Sequence, residues 1–358
     1  MLRHFISLRA AATARNYSSI NCNTHYNVVF VRHGQSTWNR DNRFIGWTDT
    51  PLTDEGVLEA RLAGRMLSSS GILFDKAHTS LLRRSIRTTN LVLMEMGQEY
   101  IPGLLSDEAI DWFEQTLTLA PPWRPVSKHW RLNERSYGDL VGKNKKEVVK
   151  QFGQDQVKIW RRSYDQPPPP MSDDHEHHPK RDARYRLMLD DIPKSESLKC
   201  TRNRTKIYWD DVLAPALRSG KTLLIVGHEN NLRSIIMRLE GISETDIINL
   251  SLPRAIPLAY RLDKDLKPLT RTDGGKDEAT GMLSGYWLGG DDSVREVLER
   301  DHAQVYDVSI ERNLEKDSDR DKWRRWTELA IGEPECPSFG AHNASHIHRN
   351  MGNKTGRK

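Results

Sequence analysis

Two short apolar runs that each end in front of a histidine constrain the fold of this chain more than any other feature. Residues 27–31 read NVVFV and lead to His33, and residues 223–226 read LLIV and lead to His228. Each run has the length of a strand, contains β-branched side chains and is followed by a polar turn, which is typical of a fully buried strand in a parallel sheet. The sequence therefore predicts two such strands, each with a histidine at its carboxyl end.

Helical patterns lie between and after these strands. Thr53 stands as an N-cap before a leucine-containing helix that Gly71 ends, and Ser195 or Ser197 is expected to cap a later helix. Further elements are predicted at residues 74–80, 81–97 and 256–263. Strands that alternate with helices predict an α/β fold in which a mostly parallel sheet is covered on both faces, giving three αβα layers. Ligands in such sheets bind beyond the carboxyl ends of the strands, where both histidines stand.

Composition sets broad limits on the class of protein. The 358 residues could form one large α/β domain or two smaller ones. The net charge of +5 is a small excess of 54 basic over 49 acidic residues, which suits anionic small molecules as well as nucleic acid. No apolar run is long enough to cross a bilayer, and Cys22, Cys200 and Cys336 lie far apart. We therefore expect a soluble protein without a disulfide framework.

The N-terminal segment has the composition of an organellar import sequence. Residues 1–23 contain Arg3, Arg9 and Arg15 together with serine and alanine, and they contain no acidic residue. We expect a mitochondrial targeting segment and a matrix location, with a plastid as second and the cytoplasm as third choice. A disordered basic tail is the alternative interpretation of the same residues.

Two further regions have no predicted catalytic role. Residues 104–124 are expected to form an inserted surface segment in a domain that spans residues 24–300, and residues 301–358 a flexible polar extension. A proline-rich loop contains three histidines, His175, His177 and His178. We expect these histidines to be solvated rather than bound to a metal, because the loop is charged and has no cysteine nearby.

Arginines near the two strand-end histidines suggest a type of chemistry. They are Arg32, Arg83, Arg84, Arg161, Arg162 and Arg233. A neutral histidine can act as a nucleophile, and the fork geometry of arginine suits the oxygens of a transferred phosphoryl group. Together they indicate phosphohistidine chemistry. From spacing alone, an equally good interpretation is that both histidines are ordinary strand-end residues and the arginines ordinary surface charges.

Longer motifs give the chain a family resemblance. The stretches are RHGQSTWN, NRFIGWTDTPLTDEG, TSLLRRSIRTTN, WRLNERSYGDLVGKNKKEV, VKIWRRSYDQPPPPM, IPKSESLK, HENNLRSIIMRLEGI and LPRAIPLAYRLDKDLKP. In this order, over residues 27–268, they resemble the cofactor-dependent phosphoglycerate mutases of the histidine phosphatase superfamily. RHG alone would be a weak signal, whereas many long blocks in the family's order are a strong one.

The resemblance implies a role for individual residues. It places the phosphorylated nucleophile on His33, surrounds the phosphoryl group with Arg32, Arg84 and His228, and makes Glu134 the acid/base. The positions implied to bind substrate are Ser36, Asn39, Ile45, Gly46, Tyr137, Lys145, Arg161, Arg162, Glu229 and Asn230. No metal site is implied.

The implied reaction interconverts 3-phosphoglycerate and 2-phosphoglycerate by a ping-pong route that 2,3-bisphosphoglycerate primes. The expected partners are these small phosphoglycerates and further copies of the chain in a dimer or tetramer, with no nucleic acid and no membrane. Two alternatives stay open: a bisphosphoglycerate mutase or phosphatase of the same superfamily, and a catalytically weak binding paralogue. Ser36 and Gly46 favour the monophosphoglycerate mutase over the bisphosphoglycerate enzymes.

Two residues depart from the family pattern inside the expected site. Ile45 replaces a common hydroxyl residue, which would leave only its backbone N–H for the substrate. Glu229 replaces the usual glycine after the second histidine. A carboxylate beside a phosphate site should repel substrate unless it points outward or pairs with an arginine, for instance Arg233.

Overall fold

A computed structural model describes residues 25–97, 99–102, 123–271 and 275–306. The expected targeting segment, residues 1–23, lies outside the described residues. So do most of the insertion placed at residues 104–124 and the chain from residue 307 onward.

A seven-stranded sheet forms the centre of the described structure. Its strands are β1 (Tyr26–Arg32), β2 (Lys76–Thr79), β3 (Glu99–Pro102), β4 (Trp123–Lys128), β5 (Leu223–Gly227), β6 (Leu258–Leu262) and β7 (Tyr286–Trp287). They lie in the order β3-β4-β2-β5-β1-β6-β7, and β1 to β5 are parallel, whereas β6 is antiparallel to β1 and to β7. The prediction of a mostly parallel sheet is therefore confirmed.

Helices cover both faces of the sheet. They are α1 (Thr37–Arg40), α2 (Asp54–Ser70), α3 (Arg83–Glu95), α4 (Lys145–Phe152), α5 (Gln154–Arg162), α6 (Leu198–Tyr208), α7 (Ala214–Arg218), α8 (Glu229–Glu240) and α9 (Gly290–Tyr306), with a π-helical stretch, Trp209–Leu213, before α7. Thr53 accepts a hydrogen bond from the N–H of Gly56 as the N-cap of α2, and Gly71 ends that helix with a φ of 70°. Ser197, and not Ser195, is the N-cap of α6.

The side chains of β1 and β5 alternate between two hydrophobic clusters, one on each face of the sheet. The first cluster, to which α6 and α8 contribute, contains Val28, Phe30, Leu223 and Ile225. The second, to which α2 and α3 contribute, contains Val29, Val31, Leu224 and Val226. These side chains are at most 2% exposed. The continuous apolar runs in the sequence thus reflect strands that are buried on both faces, in the middle layer of three.

Three details differ from the sequence expectations. Strand β4 begins at Trp123, within the expected surface insertion, and pairs with β2. Its sequence was not recognised as a strand because Arg124 and Pro125 interrupt the apolar pattern. The polar extension is predicted to begin at residue 301, but helix α9 continues through this position and ends at Tyr306. His178, expected to be solvated, is only 6% exposed, because its loop packs back on the domain.

None of the described helices is long and apolar enough to span a membrane.

Candidate active site

The pairing of β1 with β5 brings the two strand-end histidines together. Arg32 lies opposite Gly227 in the parallel register, and the N–H of His33 donates to the carbonyl of Gly227 at 3.0 Å. The imidazole rings of His33 and His228 are therefore neighbours, with centroids 4.9 Å apart and planes at 60°. Both residues are buried. Two histidines 195 residues apart in sequence thus share one site at the carboxyl edge of the sheet.

His33 is held as a neutral imidazole whose Nε2 carries the lone pair. Its Nδ1 lies 2.7 Å from the carbonyl oxygen of Gly34, so Nδ1 carries the proton and donates it. Its Nε2 accepts a hydrogen bond from Nε of Arg84 at 3.3 Å. Burial lowers the pKa of His33 well below its ordinary value, and the positive charges of Arg84 and Arg32 lower it further. This is the state that a histidine nucleophile requires.

The guanidinium of Arg84 is fixed by the backbone around it. It donates to the carbonyls of Thr48 at 2.8 Å and of Gly46 at 2.9 Å, while Nε points to His33. Gly46 has a φ of 55°, a conformation that suits glycine and turns its carbonyl towards the arginine. Burial lowers the pKa of Arg84 to about 10, so the group is still charged near neutral pH. It provides a positive charge in fixed geometry beside His33.

One ring nitrogen of His228 has no hydrogen-bond partner among the described residues. Its Nε2 lies 2.8 Å from the hydroxyl oxygen of Ser80, and its Nδ1 is buried with no hydrogen-bond partner among the described residues. Burial lowers the pKa of His228 well below its ordinary value, and the charge of Arg84 adds to this effect. A buried polar nitrogen without a partner is costly in a folded protein. It is therefore a candidate ligand contact.

Arg32 precedes His33 and is surrounded by acceptors. Its Nη1 donates to the carbonyl of Leu252 at 2.7 Å and lies 3.7 Å from the carboxylate of Asp301, and its Nη2 lies 3.3 Å from that of Glu229. Although burial lowers the pKa of Arg32, the carboxylates of Glu229 and Asp301 raise it above its ordinary value. Arg32 therefore stays fully charged.

Glu134 lies close to these groups because its carboxylate contacts the start of helix α8. One carboxylate oxygen, Oε1, accepts hydrogen bonds from the N–H of Arg135 at 2.7 Å and of Asn230 at 3.3 Å. The backbone carbonyl of Glu134 accepts from the indole of Trp47 at 2.6 Å and from Arg204 at 2.9 Å. A carboxylate in a firmly held loop thus lies within two residues of His228, where an acid/base group is useful.

Basic and polar side chains form a second part of the site. Nδ2 of Asn230 donates to the hydroxyl of Tyr137 at 3.1 Å, and Arg162 at the end of α5 bonds to Glu229 at 3.0 Å. Burial lowers the pKa of Lys145 to about 7, helped by the charge of Arg161 and opposed by that of Glu229. The lysine will take up a proton readily when an anion binds.

Three of the expected substrate residues shape the turn after the nucleophile. Ser36 is the N-cap of α1 in a capping box: its hydroxyl oxygen accepts from the N–H of Asn39 at 3.4 Å, and its own N–H donates to Oδ1 of Asn39 at 3.1 Å. The hydroxyl also donates to Oδ1 of Asn39 at 2.8 Å. Ile45 is 7% exposed and places an apolar side chain beside Gly46. The positions of Ser36 and Asn39 are thus fixed by local structure, and no hydroxyl is available at Ile45.

The sequence offered Arg233 as one example of an arginine that could pair with Glu229. In the structure, Glu229 pairs with two other arginines instead. Its carboxylate bonds to Arg32 and Arg162, while Arg233 donates to Oδ1 of Asn230 at 2.9 Å and to the carbonyl of Ile247. Burial raises the pKa of Glu229, but Arg32 and Arg162 lower it by more, so the pKa lies below its ordinary value. Glu229 is therefore ionised inside the site.

Sequence reasoning missed several charged residues around this site. Arg254 is 4% exposed, lies 3.0 Å from Asp301 and 3.6 Å from Glu59, and its charge contributes to lowering the pKa of His33. A usable signal existed for Arg254, because it lies four residues before the start of β6, the neighbour of β1. Asp301 carried no such signal. Within the described ranges, no group of three or more His, Cys, Asp or Glu residues could hold a metal ion.

Three comparisons relate this chain to known proteins. A family model described as the histidine phosphatase superfamily (branch 1) matches residues 28–104. Two curated 2,3-bisphosphoglycerate-dependent phosphoglycerate mutases, from Parabacteroides distasonis and Elusimicrobium minutum, are each 40% identical over 273 residues, which cover 76% of this chain and 95% of each relative. Among solved structures, the alpha-ribazole phosphatase from Shigella flexneri is 19% identical with a TM-score of 0.45, covering 68% of this chain and 94% of that one.

The two relatives and the family model together define the class first: this is an enzyme of the histidine phosphatase superfamily. Within that superfamily, the extent and identity of the matches show that the chain belongs to the family of 2,3-bisphosphoglycerate-dependent phosphoglycerate mutases.

Proposed function

We propose that this chain interconverts 3-phosphoglycerate and 2-phosphoglycerate through a phosphorylated His33. The observation that carries the proposal is the neutral imidazole of His33, whose Nδ1 is held by Gly34, whose Nε2 faces Arg84 and whose ring lies beside that of His228. The names of the two bacterial relatives supply the substrate class.

Phosphoryl transfer begins at Nε2 of His33. The lone pair attacks phosphorus, so that a nitrogen–phosphorus bond forms while the phosphorus–oxygen bond of the donor breaks. Arg84 and Arg32 stabilise the charge on the phosphoryl oxygens, and Nδ1 of His228 is available to hydrogen-bond one of them. The hydrogen bond from Nδ1 to Gly34 stabilises the positive charge that develops on the ring.

Glu134 completes the cycle as the acid/base. When the phosphoryl group leaves His33 for a substrate hydroxyl, the carboxylate accepts the hydroxyl proton, and it returns that proton to the oxygen released in the reverse transfer. The two hydroxyls of the glycerate are phosphorylated in turn, and the net result is an isomerisation.

The basic side chains fit a primer with two phosphates and one carboxylate. The residues that would hold it are Arg32, Arg84, Lys145, Arg161 and Arg162, with the unpartnered Nδ1 of His228 as a further contact. When bound, 2,3-bisphosphoglycerate supplies the phosphoryl group that charges His33. The lowered pKa of Lys145 supports this fit, because the ligand's negative charge would restore the ammonium form.

A coupled assay tests the proposal. Purified protein is incubated with 3-phosphoglycerate in EDTA, with and without 2,3-bisphosphoglycerate, and the 2-phosphoglycerate formed is then measured with enolase. Primer-dependent formation is the expected result. Release of free phosphate without 2-phosphoglycerate would instead assign a phosphatase, and ligand binding without turnover would assign a binding paralogue.

Chemical stability of the label identifies the nucleophile. Labelled 2,3-bisphosphoglycerate should leave an acid-labile, base-stable label on the wild-type protein and none on His33→Ala. A label that persists in the variant would place the phosphoryl group on another residue.

A further inference from the structure

The carboxylate of Glu229 bridges two arginines from different parts of the site. One oxygen, Oε2, lies 3.3 Å from Nη2 of Arg32, the residue before the nucleophile, and the other, Oε1, lies 3.0 Å from Nη1 of Arg162, at the end of α5. The side chain is only 17% exposed. Both oxygens of one internal carboxylate thus bind the guanidinium groups that an anionic substrate needs.

The surroundings of Glu229 are strongly positive. Besides Arg32 and Arg162, the charges of Arg233 and Arg161 favour its ionised form, and Lys145 lies close enough to interact with it. Without a negative group in their midst, these cations would repel one another. Glu229 therefore has the position and charge of a bound anion that is supplied by the chain itself.

A ligand anion at Arg32 or Arg162 would meet this carboxylate at close range. Like charges brought together in a poorly solvated site weaken binding strongly. Glu229 is the first residue of α8, so its backbone is held by the helix, whereas its side chain has several rotatable bonds and can leave the arginines. The ligand can take their place only by displacing the carboxylate.

We propose that Glu229 is an internal competitor for the substrate's anionic groups, for the phosphoryl group at Arg32 and for the second anionic group at Arg162, and thereby sets the affinity and charge selectivity of the site. Ligands that carry a phosphate and a distant carboxylate displace Glu229 from both arginines. Inorganic phosphate, which fits beside His33 and Arg84, displaces it less completely. The inference rests on the proposed function for the identity of the ligand.

Glu229 should weaken ligand binding but stabilise the fold of the ligand-free protein. In the ligand-free protein it offsets the repulsion between Arg32, Arg162 and Lys145, so its removal should lower the melting temperature. The same removal should increase the rise in melting temperature that an anionic ligand produces, because the vacated arginines gain more from binding. A residue that merely supported the pocket would lower both quantities.

Binding to the unphosphorylated full chain tests this without turnover. The variants are Glu229→Gln, which keeps the shape and removes the charge, and Glu229→Gly, with Glu244→Gln on the surface after α8 as matched control. The probes are 3-phosphoglycerate and inorganic phosphate, titrated calorimetrically at one fixed ionic strength. We expect both Glu229 variants to bind 3-phosphoglycerate at least about tenfold more tightly, and phosphate by a clearly smaller factor.

The outcomes separate this inference from the proposed function. Unchanged or weaker binding of 3-phosphoglycerate by both Glu229 variants, or an equal gain in Glu244→Gln, overturns the inference. Failure of the primed wild-type protein to form 2-phosphoglycerate refutes the mutase proposal instead. Tighter binding in the Glu229 variants with no turnover in the wild type would leave the competitor in place in a site with another reaction.

Discussion

The Nε–H of Arg84 donates to Nε2 of His33 across 3.3 Å, so a guanidinium lies on the one ring nitrogen that the backbone does not hold. The other donors of Arg84 are bound to the carbonyls of Thr48 and Gly46. The arginine is therefore in position before any substrate binds, and its charge disfavours protonation of the imidazole. In the proposed mechanism it also stabilises the charge of the phosphoryl group.

Removing the guanidinium of Arg84 should slow phosphorylation of His33 far more than it affects folding. In Arg84→Gln the rate of label transfer to His33 should fall roughly 10²–10³-fold, the usual cost of losing one transition-state donor. Arg84→Lys keeps the charge but cannot reach both carbonyls, so it should recover only part of the rate. Rapid-quench measurement of the acid-labile label checks this, with exposed Arg218→Gln as control. Wild-type rates in Arg84→Gln would exclude the assigned role.

The glycine after the nucleophile is required by a close contact with helix α2. A Cβ at Gly34 would stand 2.3 Å from the carbonyl oxygen of Gly56. Gly34→Ala should therefore push the His33 turn off the helix, and displacement of a reacting group by about 1 Å costs about 10²-fold in rate. Turnover and melting temperature of the variant measure both effects.

Gly71→Ala is the matched control at the other end of the same helix. Gly71 has a φ of 70°, and a Cβ there would meet no atom within 4 Å. The substitution should cost about 1 kcal/mol of stability through backbone strain alone and leave kcat/KM unchanged. If Gly34→Ala behaves like Gly71→Ala, the close contact does not position the nucleophile.

Local signals made much of the fold predictable. The apolar run that became β1, the N-cap Thr53 and the stop at Gly71 are read from a few neighbouring residues, because burial on both faces and helix capping act over that range. The position of His33 and His228 at the carboxyl edge of the sheet was predictable from the two strand runs that precede them, whereas their adjacency depends on the pairing of β1 with β5. Their roles came from family motifs, since spacing alone left them undecided.

Long-range charge pairing could not be predicted in the same way. Glu229 lies 197 residues after Arg32 and 67 after Arg162, and only the packed positions of α5 and α8 decide that these arginines, and not Arg233, receive its carboxylate. Asp301 likewise reaches Arg254 because α9 packs against the site. Pairings of this kind depend on tertiary distance, for which a charged residue in a polar stretch gives no sequence signal.

Buried histidines should make the protein lose stability on mild acidification. The pKa values of His33 and His228 are lowered by burial from the ordinary 6.5, so below that pH the unfolded chain binds protons that the native state does not. Each such group reduces the free energy of unfolding by about 1.4 kcal/mol per pH unit. The pKa of Glu229 is lowered from its ordinary value of 4.5. The stability that its ionised form contributes is therefore lost only at more acidic pH.

Denaturant titrations between pH 7 and pH 5 test this sign and its source. The free energy of unfolding should fall with pH in the wild type, and His33→Gln or His228→Gln should each remove about one proton's worth of the slope. Burial also lowers the pKa of His129, to about 4, so part of the slope should persist in both variants. An unchanged slope in both would mean that neither histidine is held neutral in the native state.

A buried ion pair should position Glu134 without touching the substrate. Nε and Nη2 of Arg204 bind the two carboxylate oxygens of Glu196 at 2.7 and 3.0 Å, and Nη2 also donates to the carbonyl of Glu134. Glu196 in turn accepts from the N–H of Ser136 at 2.8 Å. Arg204→Met leaves the carboxylate of Glu196 buried and unpaired, which should cost about 3–5 kcal/mol of stability.

Activity should then change in a way that a purely structural residue would not produce. Because Arg204 fixes the loop that carries Glu134, and not the cations that bind substrate, Arg204→Met should lower kcat more than it raises KM. The double variant Arg204→Met/Glu196→Gln removes the unpaired charge and should recover about 0.5–3 kcal/mol of stability without restoring kcat. Equal changes in kcat and KM, or recovery of kcat with stability, would show that the pair serves folding alone.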